Sequence, residues 1–359
     1  MAKTAILALE SGEVFRGEAF GAEGTRLGEM VFTASPVGFQ GLVSDPALEG
    51  KILLAAYPLL GNCGANDSDD ESRGVHVSGV VARECCARAS SFSSVRSFSE
   101  YLSLGGAPGI AGVDTRQLVR ILRERGNLRA VITTEEIADE AAVALAKGYE
   151  PPRDFAARVS CDKLWRSRAP HHTRTVAVLD CGVKRSLLRA LNELRCDAFV
   201  VPRDASALEI RALAADALLI SNGPGDPADC EAAVNTAKSL LGELPIFGVG
   251  LGFGILALAA GAKTRKLPYG AYGSRAVREI SSKRIISAPL AVTHGVERLS
   301  LESEGFTATH EAASGSEAYG AANAALRCAG VLFNPEGSPG SLDATGVLSD
   351  FINSTGRED

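Results

Sequence analysis

The segment 245–262 has the spacing of a nucleophile elbow, a strand–turn–helix on which hydrolytic enzymes present an attacking side chain. Ile246–Val249 has the apolar composition of a short buried strand, and glycines occupy three of the next five positions. The apolar run Ile255–Ala260 then predicts a buried helix that ends at Gly261. The apex of the turn is Gly250, which has no side chain. An elbow at this position therefore presents no group that could attack a substrate.

Two other predicted strands are followed by residues that could serve a site. The sequence SNGPGDP, residues 221–227, follows the predicted strand Ala217–Ile220. Its Gly223 and Gly225 would let backbone N–H groups approach a substrate closely. Asn334 follows a predicted strand over Val331–Phe333, and Glu336 lies two residues further on. Glu336 could orient a neighbouring group, but Asn334 cannot do acid–base work because an amide does not titrate in water.

The remaining candidates for chemistry are thiols and imidazoles. Cys181 follows the predicted strand Val176–Leu179, and Cys230 follows SNGPGDP, but a buried cysteine is far commoner than a catalytic one. No C-x-x-C spacing suggests zinc, and the pair His171–His172 has no third ligand near it in sequence. We expect no metal and no cofactor.

The elements that would position these residues differ between the two halves of the chain. From Thr175 onward, predicted strands alternate with helices, which indicates a doubly wound, mostly parallel sheet with ligands at the carboxyl ends of the strands. Residues 1–145 contain short alternating strands and a helix over Gln117–Arg125, for which Asp114 and Thr115 are both suitable N-cap residues. Between them, 146–173 is rich in proline and predicts an interdomain linker, so 174–359 forms the second domain. The charged cluster Asn66–Arg73 predicts a solvated loop.

Composition excludes several classes of protein. The chain has 359 residues and a formal net charge of −6, without a basic patch of the kind that nucleic acid requires. No apolar run reaches the length of a membrane span, and the N-terminus lacks the basic region of a signal peptide. We expect no nucleic-acid partner, no membrane partner, and reduced cysteines in the cytoplasm.

Several stretches together resemble the small, glutamine-hydrolysing subunit of carbamoyl-phosphate synthetase over essentially the whole chain. The most discriminating are YPLLGNCGANDSDDESRGVHVSG (57–79) and the GVDTR segment ahead of the 117–125 helix; SNGPGDP and the glycine turn at Gly250 agree with them. The resemblance implies an α/β protein: an N-terminal mixed α/β domain followed by a class I glutamine-amidotransferase-like domain. It also implies a large subunit as partner, which uses ammonia released from glutamine.

The chain departs from that family where the chemistry is expected. The family's elbow reads G-x-C-L-G-H-Q, so Gly250 stands in place of the nucleophilic cysteine and Gly254 in place of glutamine. The family's F-H-P-E places Asn334 in the position of the histidine base, while Glu336, the orienting carboxylate, is retained. The resemblance assigns the remaining positions of the degenerate glutamine pocket to Ala47, Gly223, Gly225, Leu251, Thr293, Gly295 and Val296.

These departures lead to three hypotheses. In the first, the chain is a small-subunit homologue without glutaminase activity that supports or regulates an ammonia-using large subunit. In the second, it is a scaffold or binding protein outside carbamoyl phosphate synthesis that uses the altered pocket for another ligand. In the third, it is a hydrolase that uses another thiol, such as Cys181.

Overall fold

The computed structural model describes residues 3–315 and 317–355, and within it the chain divides into two compact units. The first unit comprises Met1–Pro152 and Pro268–Tyr272, and the second comprises Arg153–Leu267 and Gly273–Asp359. In the described residues no helix has the length and apolar composition that crossing a membrane needs.

The first unit is built on a closed β-barrel with the strand order β1-β2-β8-β6-β4-β3-β9. Its interior is filled by apolar side chains from alternate strand positions, among them Leu7, Met30, Ile52 and Ile132. The strands are β1 (Thr4–Leu9), β2 (Val14–Gly21), β3 (Thr25–Thr33), β4 (Lys51–Ala55), β5 (Leu59–Leu60), β6 (Gly79–Val81), β7 (Glu84–Cys85), β8 (Pro108–Ala111) and β9 (Arg129–Thr133). The helices are α1 (Phe39–Val43), α2 (Phe98–Leu104), α3 (Thr115–Arg125) and α4 (Asp139–Gly148), with a 3₁₀ turn at Pro46–Leu48.

Two local predictions for this unit can be compared with the structure. Of the two N-cap candidates, Asp114 caps α3, since its carboxylate accepts the Gln117 N–H at 3.0 Å, while Thr115 is the first residue of the helix. The charged cluster 66–73 is only partly solvated. Asp70 accepts hydrogen bonds from the Gln40 amide at 2.8 Å and the Tyr101 hydroxyl at 2.6 Å, and Glu71 is buried. The loop predicted to be solvated is therefore exposed at residues 67–69 and 73 and buried at Glu71, because its inner carboxylates have polar partners within the fold.

The second unit contains one large sheet with the strand order β10-β12-β11-β13-β14-β19-β18-β17-β15-β16. The strands are β10 (Trp165–Ser167), β11 (Arg174–Asp180), β12 (Cys196–Pro202), β13 (Ala217–Ile220), β14 (Ile246–Val249), β15 (Thr264–Glu279), β16 (Ile285–Val296), β17 (Thr307–Ala312), β18 (Ala318–Asn323) and β19 (Cys328–Val331). The helices are α5 (Phe155–Val159), α6 (Arg185–Glu193), α7 (Ala207–Ala212), α8 (Glu231–Leu240), α9 (Leu251–Ala259), α10 (Arg298–Ser303) and α11 (Thr345–Ser354), with 3₁₀ turns at Pro227–Asp229 and Leu342–Ala344.

The centre of this sheet is parallel, since β12, β11, β13, β14 and β19 pair in parallel with their neighbours in that order. The sheet and the helices that connect its parallel strands confirm the predicted α/β fold class. The stretch 146–173, predicted as a linker, is structured in part. It contains the end of α4, helix α5 and strand β10, and β10 adds an antiparallel edge to β12.

Two element bounds near the predicted elbow differ from the sequence-based prediction. Helix α9 begins at Leu251, directly after Gly250, and not at Ile255. Strand β19 ends at Val331, so the predicted strand over Val331–Phe333 lies mostly beyond it.

Candidate functional site

Three polar or glycine positions follow three neighbouring parallel strands of the second unit. Asn222 comes shortly after β13, Gly250 directly after β14, and Asn334 shortly after β19. These strands are hydrogen-bonded to one another in register, so their carboxyl ends form one edge of the sheet. That edge is where ligands bind in open parallel sheets.

Gly250 has the backbone conformation of an elbow. Its φ is 55° and its ψ is −112°, a combination that residues with a Cβ rarely adopt, and its N–H donates to Val331 O at 2.8 Å. Glycine tolerates this conformation without steric cost, because it has no Cβ.

Two backbone N–H groups beside Gly250 point at a common acceptor. The acceptor is the side-chain Oδ1 of Asn222, which lies 2.8 Å from Gly223 N and 2.9 Å from Leu251 N. Gly223 also packs directly against Cys181, where a Cβ would overlap the carbonyl oxygen of Cys181. Two convergent N–H donors at these distances are the arrangement that stabilises a carbonyl oxygen or an oxyanion.

The other end of the Asn222 amide faces the position that the family resemblance assigns to the base. Its Nδ2 donates to Asn334 Oδ1 and to Ala291 O, each at 3.2 Å. Asn222 and Asn334 are both buried. An amide paired with an amide transfers no proton near neutral pH, so this contact cannot serve as a nucleophile–base pair.

Glu336, the predicted orienting carboxylate, is held by a lysine. Its Oε1 lies 2.5 Å from Lys184 Nζ, and Lys184 also donates to the carbonyl oxygen of Ser338. Both side chains are almost completely buried, with 2% of Lys184 and 1% of Glu336 exposed. Lys184 immediately precedes α6.

Several of the predicted pocket residues of the second unit also lie together. Thr293 Oγ1 donates to Gly225 O at 3.0 Å, which joins β16 to the loop after β13. His294 Nε2 lies 3.2 Å from Asp226 Oδ2 in the same loop. Gly295 and Val296 continue β16, and Val296 is buried.

Gly254 and Ala47 are the remaining residues that the resemblance assigned to the pocket, and each is described within its own unit. Gly254 is buried in α9, and a Cβ at this position would approach the Pro227 ring to 2.5 Å, so the space of a longer side chain is already filled. Ala47 lies in the first unit, where it is buried and its N–H donates to Asp45 Oδ1 at 2.9 Å.

The thiols proposed as alternative nucleophiles are buried. Cys181 has no exposed surface, and burial, reinforced by Cys230, raises its pKa well above the usual value. Burial likewise raises the pKa of Cys230 to about 11. Because the thiolate is the reactive form, neither sulfur is suited to nucleophilic attack near neutral pH.

Sequence reasoning missed two residues of this site. Asn222 stands inside SNGPGDP, and its place directly before Gly223 was the available signal. Lys184 lies shortly after β11, on the same edge as Asn222, and that position could have identified it. Among the described residues, no group of three or more His, Cys, Asp or Glu side chains could hold a metal ion.

Comparison with known proteins places both units in characterised families. Residues 177–354 match the family described as glutamine amidotransferase class-I, so the second unit is a class I glutamine-amidotransferase domain. Residues 7–132 match the family described as carbamoyl-phosphate synthase small chain, CPSase domain. The chain belongs to the carbamoyl-phosphate synthase small-chain family.

Curated relatives support this membership over nearly the full length. The carbamoyl phosphate synthase pyrimidine-specific small chain of Bacillus subtilis (strain 168) is 36% identical over 347 residues, covering 96% of this chain and 94% of the relative. The carbamoyl phosphate synthase small chain of Methanosarcina acetivorans is 36% identical over 352 residues, covering 94% of this chain and 95% of the relative.

Proposed function

We propose that this chain is a carbamoyl-phosphate synthase small subunit without glutaminase activity, which acts as a structural or regulatory partner of an ammonia-using large subunit. One observation carries the proposal: the elbow position is Gly250, and the position for the base is Asn334. Covalent amide hydrolysis needs a nucleophile and a group that takes and returns its proton. Removing one member of such a unit costs roughly six orders of magnitude in rate in a related system.

The changes around these two positions support the same proposal. A site that binds an amide substrate discriminates through polar partners placed for it. In the proposed pocket those partners are reduced: Thr293 is engaged with Gly225 O, Val296 is apolar, and the space beside Gly254 is filled by Pro227. We infer that glutamine is neither hydrolysed nor tightly bound.

Family membership and the retained first unit support a large subunit as the partner. Residues 7–132 keep the small-chain domain, and we propose that the first domain, residues 1–145, provides the surface that binds the large subunit. The 174–359 domain would then serve as a scaffold.

A reconstitution assay tests this function. The chain is purified with the large subunit encoded in the same organism, and carbamoyl phosphate is measured with bicarbonate and ATP plus either glutamine or ammonium chloride. We expect synthesis from ammonia only, with the chain changing the stability or kinetics of the large subunit. A matched control uses a family member that has the cysteine and the histidine at these positions. Glutamine-dependent synthesis that requires this chain would contradict the proposal.

The scaffold hypothesis makes a different prediction in the same preparation. If the chain has left carbamoyl phosphate synthesis, it will not co-purify with the large subunit, and the kinetics of the ammonia-dependent reaction will not change when it is added. The buried state of Cys181 argues against the third hypothesis, a hydrolase that uses this thiol.

A further inference from the structure

The side-chain carbonyl oxygen of Asn222 accepts from the two convergent backbone N–H groups of the site. Its distances to Gly223 N and Leu251 N, 2.8 Å and 2.9 Å, fall within the range that backbone donors keep to a developing oxyanion. Both donors are therefore already in use by a group of the same chemical type as a glutamine side chain.

This place is available to Asn222 only because residue 250 is glycine. A Cβ built on Gly250 would overlap Oδ1 and Cγ of Asn222 and lie 2.9 Å from Nδ2. Real Cβ atoms do not make such contacts, so any other residue at 250 would force the amide of Asn222 to move. The glycine thus both removes a nucleophile and creates the space that the neighbouring amide fills.

The amide is also held at its other end. Nδ2 donates to Ala291 O and to Asn334 Oδ1, while Oδ1 accepts from two N–H groups, so both the oxygen and the nitrogen have two partners. Asn222 is 3% exposed, which makes these four bonds costly to exchange for water. Asn334, at the predicted position of the base, acts here as an acceptor that holds the Asn222 side chain.

We propose that the Asn222 carboxamide is an internal occupant that closes the carbonyl-binding cradle of Gly223 and Leu251 against amide substrates. The inference rests on the proposed function, since it assumes that no nucleophile acts at position 250. It adds that Gly250, Asn222 and Asn334 depend on one another structurally. The carbonyl-binding cradle therefore stays occupied at any glutamine concentration.

A double-mutant cycle tests this unit. The thermal midpoint is measured for the wild type, Gly250→Ala, Asn222→Ala and the double variant. The control is Gly242→Ala in both backgrounds, because Gly242 also has a positive φ, 78°, and a Cβ there meets no atom within 4 Å. In the wild-type background we expect Gly250→Ala to lower the midpoint more than Gly242→Ala does. In the Asn222→Ala background we expect Gly250→Ala and Gly242→Ala to lower the midpoint by similar amounts. Equal penalties for Gly250→Ala in both backgrounds would overturn the proposal.

Hydrogen exchange gives a second measurement that does not depend on the Gly250 variant. In Asn222→Ala the amide protons of Gly223 and Leu251 should exchange about tenfold faster or more than in the wild type. The Phe253 amide, which donates to Gly250 O at 3.1 Å, is the internal control and should not change. Unchanged exchange at Gly223 and Leu251 would show that Asn222 does not cover them.

Failure of this inference and failure of the proposed function can be told apart. Glutamine hydrolysis by the wild-type chain with its large subunit would refute the proposed function whatever the cycle shows. Absence of hydrolysis together with absence of coupling between Gly250 and Asn222 would refute only the internal occupant.

Discussion

Lys184 and Glu336 form a buried ion pair at the edge of the second unit's sheet, with Nζ 2.5 Å from Oε1 and neither side chain more than 2% exposed. Removing one partner leaves an uncompensated buried charge, which costs about 3 kcal/mol or more, whereas removing both leaves none. We therefore predict that Lys184→Met and Glu336→Gln each lower the free energy of unfolding strongly. The decrease in the double variant should be smaller than the sum of the two single decreases. Urea denaturation followed by circular dichroism measures all three.

The control for this prediction is an exposed ion pair of the same unit. Arg211 Nη2 lies 2.7 Å from Glu243 Oε2, and both side chains are about half exposed, so Arg211→Met should change stability little. Equal effects of Lys184→Met and Arg211→Met would show that the buried pair is not a structural element.

Returning a cysteine to the elbow should destabilise the protein without restoring activity. Gly250→Cys places a Cβ at φ 55° and against the Asn222 amide, and backbone strain alone costs roughly 1–3 kcal/mol. Since Asn334 supplies no base, glutamine hydrolysis should remain undetectable. The melting temperature and an ammonia-release assay check the two parts. A Gly250→Cys protein that is as stable as the wild type would contradict the account of the elbow.

The thiols should differ in reactivity according to their burial. Cys63 is exposed, whereas burial raises the pKa of Cys230 to about 11, so its thiolate fraction at pH 8 is about one in a thousand. We predict that iodoacetamide at pH 8 modifies Cys63 quickly, and Cys181 and Cys230 only after unfolding, as peptide mass spectrometry would show. Rapid native labelling of Cys181 would revive the hypothesis of a thiol hydrolase.

His310 should make the second unit sensitive to acid. Burial lowers the pKa of His310 in the folded protein, an effect that outweighs the opposing influence of Glu279. The unfolded chain therefore binds the proton more readily, so the stability contributed by neutral His310 is present above about pH 6.5 and is lost as the pH falls below it.

The test of this prediction compares melting temperatures at pH 7.5 and pH 5.5 for the wild type and His310→Gln. Between pH 7.5 and pH 5.5 the melting temperature of the wild type should fall further than that of the variant, because glutamine does not titrate. An identical loss in both proteins would assign the acid sensitivity to other groups.

The parts of this fold that depend on local sequence could be predicted from it. The bounds of β13 and β14 agree with the prediction because short buried apolar runs between turn residues mark such strands clearly. The start of α9 could not be predicted in the same way. Gly252 and Gly254 disfavour a helix locally, yet α9 includes both. Position 252 requires glycine because a Cβ there would overlap the carbonyl oxygen of Ile220. The glycines serve close packing, which only the tertiary structure reveals.

The candidate site, too, could be predicted from the sequence only in part. The absence of a side chain at Gly250 and of an imidazole at Asn334 is visible in the sequence. Which group fills the vacated space depends on how three strand ends converge, so the position of the Asn222 amide could not be derived from residue spacing. The closed barrel of the first unit was missed as well, because its strand pairings join residues far apart in sequence.

A search for a covalent intermediate tests the central claim most directly. The chain, in complex with its large subunit, is incubated with glutamine, bicarbonate and ATP, quenched in acid, and measured by intact-mass and peptide mass spectrometry. We predict that its mass does not change, because neither Gly250 nor Asn334 supplies a group that can open an amide bond. A glutamyl thioester on any cysteine of this chain would contradict the account.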